Sequence, residues 1–94
     1  MAEPKKPLHP EQHERLGRLL AATRRAKKLK QRDVADRIGR QPTFVAKYEA
    51  GKRHLDVIEF VTVAKAIGID PRRILSRLLK RWPDPPVETE SLPE

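Results

Sequence analysis

Apolar residues recur at three- and four-residue intervals from about Leu16 to Leu79, and nowhere do they alternate with a period of two for long enough to make a strand. Leu16, Leu19, Leu20, Thr23 and Ala26 form one stripe on an otherwise charged stretch. Pro10 can open that stretch at a first helical position, which predicts a helix to about Lys28. Val34, Ala35 and Ile38 share a face of a second helix from Gln31 to Ile38, and Gly39 follows where a left-handed residue is needed to end it. After a turn of Gly39, Arg40 and Gln41, Pro42 starts a third helix with Val45 and Tyr48 facing inward and Gly51 as its stop. Asp56 is a good N-cap for a fourth helix through about Ile67, with Ile58, Val61 and Ala64 at core spacing and Gly68 as its terminator. Asp70 and Pro71 open a fifth, carrying Ile74, Leu75, Leu78 and Leu79. The expected fold is all-α, a compact five-helix domain over residues 10–82. A polar tail (1–9) and an acidic, proline-rich tail (83–94) flank it, both expected to be disordered because they cannot bury enough apolar surface to order themselves.

Charge sharpens this picture. All 21 Lys and Arg precede Trp82, while four of the 13 acids (Asp84, Glu88, Glu90 and Glu94) follow it, so residues 1–81 carry +12. A compact body with that excess attracts polyanions, nucleic acid being the commonest, with charge for solubility as the competing reading. The chain has no cysteine, which excludes disulfides and thiolate metal sites. It also has no apolar run of membrane-spanning length and no signal-peptide core, so a soluble, cytoplasmic, prokaryotic protein is expected.

An eight-residue helix, a three-residue turn opened by glycine, and a second helix rich in polar and basic side chains is the arrangement of a helix-turn-helix, here helices two and three. The stretch RQPTFVAKYEAGKR, Arg40 to Arg53, is then mixed in polarity for a reason. Its apolar residues hold the third helix to the domain while Gln41, Thr43 and Lys47 project outward.

The same residues resemble the Cro/Xre-type helix-turn-helix repressors. The resemblance rests on Leu29, Gln31, Ala35, Ile38 and Gly39 in helix two, on Val45, Tyr48, Glu49, Gly51 and Lys52 in and after helix three, and on Ala64, Ile67 and Gly68 in helix four. It implies a sequence-specific transcriptional regulator, a repressor, that binds double-stranded DNA; a homodimer is expected because one helix reads only a few base pairs. Gln31 would contact a phosphate, Lys52 and Arg53 would contact the backbone from the loop, and Arg24 would pair with Glu49 to tie helix one to helix three. Base contacts would come from Gln41, Pro42, Thr43, Phe44 and Lys47. Lys30 and Gln41 stand where the family usually has serine or threonine; both are weak N-caps, and Lys30 and Arg40 have the charge to reach phosphate instead. Pro42 lacks a donor, which removes one common base contact.

Each assignment has a plainer competitor. Gln31 can be an ordinary solvated first-turn residue, Lys47 a surface charge, and Phe44 a core residue packed on Tyr48 at i+4. Ile74, Leu75, Leu78, Leu79 and Trp82 offer more apolar surface than one small domain needs and are expected to form a dimer interface. Catalysis and cofactors find no support. Of His9, His13 and His54, only the first two have a metal-like spacing and no third ligand is near, and no phosphate loop or nucleophile elbow is present. Gly17, inside helix one, is read as a place where a neighbouring helix comes close. The alternative function is an antitoxin or similar protein-interaction module, in which the acidic tail docks on a basic partner and DNA binding serves autoregulation.

Overall fold

The computed structural model describes residues 9–83. Within them lie five helices: α1 (Pro10–Ala26), α2 (Gln31–Ile38), α3 (Pro42–Glu49), α4 (Val57–Ile67) and α5 (Pro71–Leu79). The termini of these helices follow from capping chemistry. Proline occupies the first turn of α1, α3 and α5, where its missing N–H costs nothing. The Asp56 carboxylate accepts from Glu59 N–H and Glu59 reaches back to Asp56 N–H, a complete capping box for α4. Gly39, Gly51 and Gly68 all have positive φ after α2, α3 and α4. The same stop after α1 is made by Lys28 at φ 58°, with Leu29 N–H on Arg24 carbonyl and Lys28 N–H on Arg25 carbonyl.

The core gathers Leu20, Val34, Ala35, Val45, Tyr48, Phe60, Val63, Ile67 and Ile74, so every helix contributes. Helix α3 packs against α2 and α1, α4 lies behind α2, and α5 closes the domain against α1 and α4. Helix α1 crosses the end of α3 at Gly17. A Cβ there would lie 2.8 Å from the Glu49 carbonyl oxygen and closer still to that of Tyr48, so only glycine permits this approach.

Two helices sit in a different rotation from the one their apolar spacing suggests. In α4 the buried stripe is Phe60, Val63, Ala64 and Ile67, whereas Ile58 is 75% exposed and Val61 half-buried. Two apolar stripes compete on this helix, and the one carrying the bulky phenylalanine goes inside because it buries more area. On α1, Ala26 is exposed, and the inward face includes the polar Gln12 and Arg24. Gln12 donates to Arg81 carbonyl, and Arg15 donates to the Leu78 and Arg77 carbonyls, so α1 satisfies orphan acceptors at the end of α5. The acidic tail beyond Pro83 lies outside the described residues. Among the described residues no helix is long and apolar enough to cross a membrane.

Candidate nucleic-acid interface

Helix α2 begins at Lys30, whose extended backbone presents its N–H to the Asp33 carboxylate at 2.7 Å while its side chain remains exposed. Asp33 thus supplies from within the first turn part of the capping that lysine cannot give. The turn at Gly39 to Gln41 sets α3 across α2, and Gln41, extended and without a side-chain capping bond, leads directly into Pro42. Val45 and Tyr48 are buried, and Gln41, Pro42, Thr43 and Lys47 are exposed. Four of the five base-reading candidates are therefore open to solvent.

Phe44 is the fifth, and it is shared between inside and outside. Its ring is half-buried, edge-on to Tyr48 at 5.6 Å, with the guanidinium groups of Arg40 and Arg53 over it at 5.1 and 4.6 Å. Both arginines also meet Glu59. Arg53 donates to its two oxygens at 3.1 and 2.9 Å, and Arg40 stands 4.0 Å from Oε2. Arg53, followed by the Asp56 N–H, holds the Glu59 carboxyl below the usual carboxylate range. Glu59 thus caps α4 and also tethers cations from both ends of α3. Sequence reading left it out, although the Asp56 to Glu59 spacing of a capping box was the available signal.

At the other end of α3, Arg24 donates to both oxygens of Glu49 at 2.7 and 3.0 Å and to Leu29 carbonyl at 2.8 Å. Gln31 Nε2 adds a bond to Glu49 Oε1 at 2.9 Å. Gln31 is therefore neither freely solvated nor wholly committed, since its amide has a second N–H to give. Lys52 is exposed in the loop after α3.

Of the five residues expected at a dimer interface, Ile74 and Leu78 are consumed by the protomer's own core, at 0% and 7% exposure. Leu75, Leu79 and Trp82 face outward, and Val57 and Ile58, absent from the expected set, are exposed apolar residues at the start of α4. A cleft of about 270 Å³ joins part of this surface, lined by Leu16, Leu55, Val57, Phe60, Leu75 and Trp82 among others. His9 and His13 do not converge: His13 stacks on His54 at 3.7 Å and His9 meets the edge of Trp82 at 5.5 Å.

Residues 15–78 match the model of the helix-turn-helix domain family. Among solved structures, the chain is similar to an XRE-family like protein from Pseudomonas syringae, at 39% identity, with 81% of this chain and 93% of that one covered and a TM-score of 0.74. It is also similar to the restriction-modification controller protein C.AhdI from Aeromonas hydrophila, at 28% identity over 72% of this chain and 99% of that one, TM-score 0.67. The clp gene regulator ClgR from C. glutamicum, 23% identical over 80% of this chain and 94% of that one with a TM-score of 0.69, shares the fold. No curated protein matches the sequence significantly.

Proposed function

Because this chain belongs to the Cro/Xre-type helix-turn-helix family, we propose that it is a sequence-specific transcriptional regulator that represses by occupying promoter DNA as a homodimer, with α3 in the major groove. The observation that carries this reading is the division of α3 into two faces. Val45 and Tyr48 are locked in the core while Gln41, Thr43 and Lys47 stand exposed, with cations at both ends of the helix. Presentation of polar side chains from a rigidly anchored helix is what base-edge readout requires. Lys47 suits guanine O6 and N7, and Gln41 and Thr43 at the first turn suit neighbouring edges.

Phosphate contacts come from Lys30, Gln31, Arg40 and Lys52, while Arg53 reaches phosphate by sharing or leaving Glu59. One helix reads only a few base pairs, so two copies on half-sites about 34 Å apart supply the specificity. Leu75, Leu79, Trp82 and the neighbouring Val57 provide the apolar face for that pairing, and a repressor occluding a promoter needs no further chemistry.

The test is selection of bound duplexes from a random pool, then anisotropy titration of variants on the selected and on random DNA at several salt concentrations. Lys47→Ala is expected to lose about 1 to 3 kcal/mol on the selected site and little on random DNA. Lys52→Ala is expected to weaken both and flatten the salt slope by about one unit. A pool that yields no enriched sequence refutes the reading.

A further inference from the structure

Two arginines outside the helix-turn-helix line a second polar surface. A cleft of about 380 Å³ opens between α1 and α3, with Arg18 and Arg25 on one wall, Gln31 and Glu49 at its edge, and the small side chains Ala46 and Ala50 opposite. Resting on the regulator reading, we propose that this cleft binds the phosphodiester backbone of DNA flanking each half-site, so that the footprint extends past the bases α3 reads.

Arg18 and Arg25 are seven residues apart, which on a helix places them on one face with their Cα atoms about 10.5 Å apart along the axis. That separation suits a track of charge better than a single anion. Both are exposed, and neither side chain makes a hydrogen bond or ion pair among the described residues, unlike those of Arg15, Arg24, Arg37, Arg53 and Arg72. The one acid in the cleft, Glu49, is offset by two bonds from Arg24 and one from Gln31, so it leaves little field to repel a phosphate. Ala46 and Ala50 keep the α3 wall low, where longer side chains would fill the space. Gln31 belongs both to this cleft and to the phosphate set at the start of α2, which makes the two surfaces continuous.

Flanking contact gives a length dependence that general attraction does not. Binding is measured by anisotropy on two duplexes, the selected operator alone and the same operator extended by several base pairs at each end. Arg18→Ala, Arg25→Ala and the double variant are each tested at several salt concentrations, with melting temperature confirming that these exposed changes leave the fold intact. The expected result is a several-fold loss on the extended duplex, a salt slope flattened by about one unit per arginine, and wild-type affinity on the short one. Equal losses on both duplexes, or none on the extended one, overturn the inference while leaving the regulator reading in place. Loss of polyglutamate binding in the variants with flanking DNA affinity intact assigns the cleft to an acidic protein segment instead. Failure of the unaltered chain to bind either duplex overturns the regulator reading and this inference together.

Discussion

Arg24 on α1 grips Glu49 at the end of α3 through two parallel bonds, 2.7 Å from Nε to Oε2 and 3.0 Å from Nη2 to Oε1, with side-chain exposures of only 9% and 6%. The Glu49 carboxylate raises the pKa of Arg24 against the opposing effect of burial. Because the same arginine holds Leu29 carbonyl, it fixes α1, the entry to α2 and the exit of α3 relative to one another.

Breaking this pair on one side leaves a buried charge uncompensated. Arg24→Met and Glu49→Leu are each expected to cost about 3 to 5 kcal/mol in urea unfolding, while the double substitution costs less than either. Additive losses would refute a direct coupling.

Gly17→Ala tests the helix crossing. Alanine gains about 1 kcal/mol of helix propensity, yet its Cβ meets the Tyr48 and Glu49 carbonyls at backbone positions that cannot give way cheaply. A net loss of about 1 to 3 kcal/mol is expected, read as a lower denaturant midpoint.

Lys28 presents the opposite case, a left-handed conformation at φ 58° held by a residue with a Cβ. Lys28→Gly is expected to stabilise by about 1 kcal/mol, raising the melting temperature by several degrees. An unchanged or lower value would show that the strain is not there.

Tyr48 is the chain's one tyrosine, and its buried hydroxyl has no hydrogen-bond partner among the described residues. Tyr48→Phe is therefore expected to hold or raise stability by about 1 kcal/mol. Burial, ahead of the nearby Glu49 charge, pushes the tyrosine pKa well up, against a lowering from Arg24. The folded value lies above the unfolded one near 10, so the associated stability is full below that pH and is lost as pH rises beyond it. Tyrosinate absorbance should accordingly appear only together with the loss of helical circular dichroism, whereas a separate earlier titration would mean that the ring is accessible.

The outer face of α5 separates assembly from folding. Leu79→Glu, at a site 62% exposed, is expected to abolish the proposed dimer in light scattering while preserving helicity. Ile74→Glu, fully buried in the protomer, should unfold the chain instead. The single Trp82 gives a second readout, since dilution of a dimer would shift its fluorescence to the red. A wild-type chain monomeric at tens of micromolar, even on DNA, would refute the pairing.

Local chemistry in the sequence determined most of the scaffold. Apolar spacing marked five helices, glycines, prolines and aspartates marked most of their ends to within a residue or two, and the short turn between α2 and α3 identified the helix-turn-helix. The Arg24 and Glu49 pair was expected from family resemblance, since residues 25 apart reveal no contact through spacing alone. Tertiary structure decided the rotation of each helix about its axis. Period alone could not say whether Ile58 or Phe60 turns inward on α4, or which leucines α5 keeps for its own core, because each helix carries more than one apolar stripe and the facing surfaces choose between them. Long-range polar partners were hidden for the same reason. Gln31 bonded to Glu49 and Arg15 capping α5 both join residues that only packing brings within hydrogen-bond distance.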